Sequence, residues 1–462
     1  MKASVFFLPL VLALFPMEGL GQGLFSRMAK FAKTQFAGTL LKGVPTRTLS
    51  NGVEFPLIGL GVGNMLMDLI PSMMSRSLQQ DKKVYLFDTS NISHNELYVS
   101  KGIVEGAEIL ERESGVEKIE VHVITKVWYT HLGYGRTLHA VQNSINAFKE
   151  AIDHNNIELK LHVMIHWPRC YDNVPWMNCE LEENELPQDV KDSGPPPHLD
   201  KTNAWKGSWK ALESLVLNEE SIVSSIGVSN FHLKELEMLD QMATVKPHII
   251  ETDAWSLLYD PMMIDFCHKH DIHVIAHNLM DGVFLKADKA PFAFNHLSLV
   301  ANELTKAMKS KGLLPADHEE VTPAQVILAW LVQHSISVIP RTVNLRHLHE
   351  NSAVQLGSIP AMNDKQVQTV ALSVEAMISE EDLPDDAYVK ITFHAKTKDI
   401  YLWWYDQEYG GEIQVAKIDQ GSKWEESSHP GHMFRVYDGP EKASYENFSV
   451  EGKYGDHRHV EL

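Results

Sequence analysis

The chain has 462 residues, 44% of them hydrophobic, and a formal charge of -20 from 41 basic and 61 acidic side chains. That apolar content supplies one large core and a smaller one, which excludes a disordered chain. An acidic balance with no basic stripe interleaved by aromatics excludes a nucleic-acid partner.

In chain order, residues 1–22 read as a secretory signal. Lys2 precedes an apolar stretch, Val5 to Phe15, too short to span a bilayer, and small residues around Gly19 to Gly23 follow, so no membrane span is expected. Residues 23–48 lead into eight apolar, strand-like runs: Leu57 to Leu60, Val84 to Phe87, Val121 to Thr125, Leu161 to Ile165, Ser225 to Val228, His248 to Thr252, His273 to Ala276 and Ser337 to Ile339. Between them, Leu138 to Asp153, Trp205 to Leu217 and Pro323 to Gln333 carry apolar residues at spacings of three and four, as amphipathic helices do. This alternation predicts an α/β fold, a (β/α)8 TIM barrel over residues 49–360. Met65, Met67, Met73 and Met74 are expected to fill core or pocket.

The acidic, proline-rich segment Arg169 to Thr202 is expected to lie outside any regular element, as either a wall of the pocket or a flexible excursion. Of three cysteines, Cys170 and Cys179 share this segment. An oxidising lumen would bridge them; otherwise all three, Cys267 included, are unpaired thiols. Asn91-Ile92-Ser93 and Asn447-Phe448-Ser449 are glycosylation sequons.

A linker over 361–386 precedes β-rich sequence at 387–440, Tyr388 to His394, Asp399 to Tyr405, Glu412 to Ile418 and His432 to Tyr437, with turn glycines between. A small all-β sandwich-like domain is expected there, and 441–462 as a tail. Its last residues, His459, Val460, Glu461 and Leu462, resemble the receptor-read retention tetrapeptides of the endoplasmic reticulum. Paired with an entry signal they point to the lumen of that compartment, with secretion as the alternative.

Polar residues close three of the strands: Asp88 the second, Lys126 the third, His166 the fourth. A parallel barrel gathers strand ends on one face, so a carboxylate, an ammonium and an imidazole meet at its mouth, as general acid–base chemistry requires. The alternative is a structural ion pair beside a satisfied core histidine. Trp128 lines the mouth on either account.

The surrounding motifs, LSNGVEFPLIGLGVG (Leu49 to Gly63), FDTS (Phe87 to Ser90), ITKVW (Ile124 to Trp128), IHWP (Ile165 to Pro168), GVSNF (Gly227 to Phe231) and IPRTVNLRHLHEN (Ile339 to Asn351), resemble in order those of the aldo-keto reductase family. The resemblance implies reduction of a small-molecule carbonyl substrate by NADP(H), through a tetrad of aspartate, tyrosine, lysine and histidine. Asp88, Lys126 and His166 fall on three of its members, whereas Ser93 replaces the tyrosine. A phenol with a pKa of about 10 is tunable into a proton donor; a serine hydroxyl is a far weaker acid and stops a ring's length short. His94, His166 or a water would then supply the proton.

The same resemblance places Ser229, Asn230, Glu251, His277 and Asn278 at the nicotinamide end of the cofactor. It places Arg341, Thr342, Arg346, Glu350 and Asn351 at the adenosine end. Glu251 stands where the family has a carboxamide-binding glutamine, His277 where it has a stacking tyrosine, and His347 where it has a second arginine. An ionised glutamate cannot donate the amide's hydrogen bond, and imidazole offers less stacking area than phenol.

Further on, LWWYDQEYGGE (Leu402 to Glu412) and SSHPGHMF (Ser427 to Phe434) resemble the β domain of the von Hippel–Lindau family. That resemblance implies a ligand, a hydroxyproline-containing peptide, at Trp404, Ser428, His429, His432 and Phe434, with Val415 in place of a pocket tyrosine. A catalytically inactive barrel serving as scaffold for such peptide capture is the alternative to an active reductase.

Overall fold

The computed structural model describes residues 39–41, 44–80, 84–171, 174, 176–254, 261–280, 291–312, 320–377, 389–405, 412–428, 433–440, 442, 444–451 and 456–462. The expected signal segment, His429 and His432 lie outside these residues. So does the side chain of Trp404. The described residues divide into two compact units, one within 39–377 and the other within 389–462.

The larger unit is the expected barrel. Strands β1 (Leu60–Gly61), β2 (Val84–Asp88), β3 (Ile119–Val127), β4 (Ile157–Ile165), β5 (Val223–Ser229), β6 (Ile249–Asp253), β7 (His273–His277) and β8 (Ser337–Val338) form one sheet in sequential order, every pairing parallel. A parallel bridge from Ile58 to Val338 joins first strand to last.

Strand side chains alternate, so every second residue points into the barrel. In β3 these are His122, Ile124 and Lys126, and three layers follow. The middle layer is apolar: Leu86, Ile124, Met164, Ile249, Ile275 and Ile339 share one cluster. Gly227 admits the crossing here, since a Cβ on it would lie 2.3 Å from the carbonyl oxygen of Ile249. The lower layer is histidine-rich: His122 Nδ1 lies 2.9 Å from His162 Nε2, His162 Nδ1 lies 2.6 Å from the Ser225 hydroxyl, and His273 Nε2 lies 2.7 Å from that of Ser337. A hairpin, Val44–Thr48 with Glu54–Pro56, closes this end, and its Phe55 packs edge-on against all three imidazoles. The upper layer is the mouth.

Met65, Met73 and Met74 are buried as expected; Met67 instead faces solvent, 40% exposed. The segment 169–202 also departs from expectation, for it holds helices Cys179–Glu185 and Gln188–Asp192 and a 3-10 turn at Pro197–Asp200. Asn178 caps the first helix by accepting from the Leu181 amide, and a Cys170–Cys179 disulfide ties its first residue back to the barrel. Buried Arg136 clamps it with two bonds to the Glu183 carboxylate, 2.8 and 2.9 Å, and donates to the carbonyls of Thr130 and Gly194. Cys267 is a buried free thiol.

The smaller unit pairs two sheets. Its strands are β9 (Val389–His394), β10 (Ile400–Tyr405), β11 (Glu412–Ile418), β12 (Lys423–Ser428), β13 (Met433–Tyr437), β14 (Tyr445–Ser449) and β15 (His457–Glu461), arranged β12-β9-β15 and β11-β10-β13-β14. Ile391, Phe393, Leu402, Ile418, Phe434 and Val436 fill the space between, with Phe393 set edge-on to Phe434 and Phe448. Residues 441–462, expected as a tail, thus supply two strands. The last runs parallel to β9, the amide of Leu462 donates to His394, and Lys396 donates to the Leu462 carbonyl. Among the described residues no helix is long and apolar enough to cross a membrane.

Candidate active site

The mouth is built by residues two positions beyond the apolar layer. Asp88 ends β2, Lys126 nearly ends β3, and Glu251 lies in β6 across the barrel. All three are buried, at 8%, 4% and 3% exposed. Lys126 Nζ pairs with Asp88 Oδ1, donates to the Thr89 carbonyl at 3.2 Å, and lies 3.1 Å from Glu251 Oε2 in an ion contact outside hydrogen-bond geometry. Burial alone would strip the lysine's proton, but the two carboxylates outweigh it and hold the ammonium above its ordinary range. Asp88 is pushed up to about 7 by burial and then by Glu251, against the pull of Lys126.

His166 follows β4. Burial, then Lys126 and His277, keeps its imidazole well below its ordinary proton affinity, and its Nδ1 is enclosed with no hydrogen-bond partner. Asn230 sits at φ +56, donates through Nδ2 to the His166 carbonyl at 3.0 Å and the Ser229 hydroxyl at 3.1 Å, and ties its amide to Glu251. His277 ends β7 and is held neutral chiefly by burial, while Asn278 donates to Asp253 at 2.9 Å.

Ser93 occupies a short turn, 91–93, with its hydroxyl 2.7 Å from that of Ser90. It faces Gly63, where a Cβ would come 3.6 Å from Ser93 Oγ. His94 follows in the left-handed region, exposed. Arg341 donates to the Gly63 carbonyl at 3.2 Å, which ties the segment after β8 to the same rim. The other residues expected near adenosine engage one another: Thr342 accepts from the Asn344 amide, Arg346 pairs with Glu350, and Asn351 ends their short helix.

Sequence reasoning missed Glu182. From the inserted segment it accepts from Trp128 Nε1 at 2.8 Å and from the Tyr129 hydroxyl, raising that phenol beyond its usual range after burial has its effect. Trp128 in turn meets His166 edge-on at 5.0 Å and lies near Trp176, which meets Trp167. Insert and strand ends therefore form one aromatic wall. Among the described residues no group of three side chains could hold a metal.

In the smaller unit, Phe434 is part of the core and Ser428 is buried. Phe434, expected to touch a peptide, is turned inward because side chains alternate along its strand, half-buried Met433 and Arg435 on one side and Phe434 and Val436 in the sandwich interior.

A closed parallel barrel with an ionised cluster at the carboxyl ends of its strands is the architecture of a barrel enzyme. The aldo/keto reductase family model matches residues 81–372, and the chain belongs to that family. Similar proteins include the 9,11-endoperoxide prostaglandin H2 reductase of Trypanosoma cruzi, 30% identical over 66% of this chain and 83% of that one. The NAD(P)H-dependent D-xylose reductase of Candida tropicalis is 27% identical over 67% and 87%, and the glyoxal reductase of Bacillus subtilis 27% over 67% and 86%. An aldo/keto reductase crystal structure from Brucella melitensis superposes with a TM-score of 0.48 at 23% identity, covering 71% of this chain and 99% of that one.

Proposed function

We propose that this protein is an NADP(H)-dependent carbonyl oxidoreductase of the secretory lumen, working without the usual phenol. One observation carries the reading: Lys126 is kept charged by buried Asp88 beside a His166 whose Nδ1 has no partner. A buried polar atom left open is costly unless something completes it, and a carbonyl oxygen or a water does so. The family resemblance would set Ser229 and Asn230 against the carboxamide of a dinucleotide and Arg341 and Arg346 against its phosphate. When bound, the cofactor supplies a hydride. The chain's own work is to orient the carbonyl through His166 and to pass a proton outward from the Lys126 ammonium. With Ser93 bonded to Ser90, that proton travels through water rather than a phenol, which predicts slow turnover.

Titration of the purified chain with NADPH should shift or quench cofactor fluorescence, and Ser93→Tyr should raise turnover of a generic aldehyde by about 100-fold or more, the usual worth of a positioned acid. No response to either removes the enzyme reading.

The fixed Ser90–Ser93 bond also favours a second reading, a silent barrel whose β unit captures peptide. Hydroxyproline peptides retained by wild type and lost on Trp404→Ala or His432→Ala would support it. Residence in the endoplasmic reticulum rests on the first 22 residues and the last four, and microscopy of the full chain with and without those four residues tests it.

A further inference from the structure

Lys126 is one cation set between two carboxylates on opposite strands, Asp88 of β2 and Glu251 of β6. The imidazoles that share the mouth do not redress the balance, since His166 and His277 are both neutral when buried as they are here. Arg341 is at the rim, exposed and bonded to a main-chain carbonyl. The buried cluster therefore either carries one surplus negative charge or takes up one extra proton to cancel it. In both cases a second positive charge arriving at the mouth is favoured, in the first by direct attraction and in the second by displacing the proton.

A nicotinamide ring changes charge as it reacts: reduced it is neutral, oxidised it is a pyridinium cation. Resting on the dinucleotide reading above, we infer that the Glu251 carboxylate tunes this mouth toward the oxidised ring, holding NADP+ tighter relative to NADPH than a neutral side chain at 251 would. Glu251 is here a positioning residue that acts through charge on the Lys126 cluster. By linkage, tighter holding of the oxidised form would make bound NADPH the stronger hydride donor, so the site favours carbonyl reduction and releases reduced cofactor more readily than a site with an amide there. In that reduction the carbonyl would gain a hydride from the cofactor and a proton from the cluster.

The test compares NADP+ and NADPH binding to the full chain, wild type and Glu251→Gln, by calorimetry. Removing one unit charge at the several-ångström range within a protein should raise the Kd ratio of NADP+ to NADPH about tenfold. Adenosine 2′,5′-bisphosphate, which lacks the ring, should bind both proteins alike. An unchanged ratio with both dinucleotides bound overturns the inference and leaves the oxidoreductase reading intact; failure of wild type to bind either overturns both.

Wild type alone gives a second arm should Glu251→Gln not fold. Asp88 faces Lys126 from β3, Glu251 from β6 and His277 from β7; His166, just after β4, faces Lys126 and His277, and Asp253 faces His277. Near pH 7, calorimetry in buffers of different ionisation heat should show proton release with NADP+ and none with NADPH. With Asp88 raised to about 7, both protonation states are populated near pH 7, so equal release with the two overturns the inference.

Discussion

Lys126 shows how much a single side chain can hold. Replacing it by methionine leaves two carboxylates buried without a cation, and breaking such a pair costs on the order of 3–5 kcal/mol. Lys126→Met should therefore lower the unfolding free energy at pH 8 by about that amount in urea titrations. Because Asp88 is raised from 3.8 to about 7, it favours the fold fully below its unfolded value and loses that contribution as pH rises through about 7. The deficit of the variant should shrink toward pH 5, where protonation replaces the missing cation. An equal deficit at both values would mean the cluster is not ionised as described. Asp88, Lys126 and His166 were readable because each ends an apolar run with a polar residue. The contact between Lys126 and Glu251 was not, since it crosses the barrel and no local spacing announces it.

At the scale of elements, the insert and the strands respond to different forces. The helix Cys179–Glu185 is too short to show a helical period in sequence or to persist alone, which is why an irregular loop was expected. It stands because Arg136 grips Glu183. Arg136→Met should cost about 3–5 kcal/mol and open 169–202 to limited proteolysis. Glu182→Ala, which frees Trp128 and Tyr129, should leave the fold standing but raise KM for aldehydes in steady-state assays, and an unchanged KM would separate this wall from substrate. In the sheet, Gly227→Ala forces a methyl into the Ile249 carbonyl, so little soluble barrel should be recovered on expression. All eight barrel strands were visible as buried apolar runs, whereas β12, β14 and β15 were not. KWEESS, YENFS and HRHVE are polar, largely exposed edge or near-edge sequences with little apolar alternation, so their pairing depends on neighbours.

For the whole molecule, acidity is the expected weakness. His122, His162 and His273 are all held below their ordinary proton affinity by burial beneath Phe55. Each is neutral when folded and free to protonate when unfolded, so stability is full above about pH 6.5 and is lost as pH falls. Asp88 pulls the other way over the same interval, but one group opposes three. Urea midpoints should fall between pH 7.5 and 5.5, and a flat or rising profile would mean that water reaches the imidazoles. The barrel and the all-β unit were both foreseeable from where periodicity changes along the chain; the histidine layer was not, because within each strand those residues look like interruptions of an apolar run.

The strand β15 has one more implication. Its Val460 and Leu462 lean on the sandwich interior, Glu461 pairs with Lys396, and its main chain is zipped to β9. Under the lumenal reading proposed above, the four residues a sorting receptor would read are the same ones that close this sheet, so it would have to peel them away first. A truncation, a fused tag or an unfolding β unit that loosens this edge would then govern both the seam and its recognition.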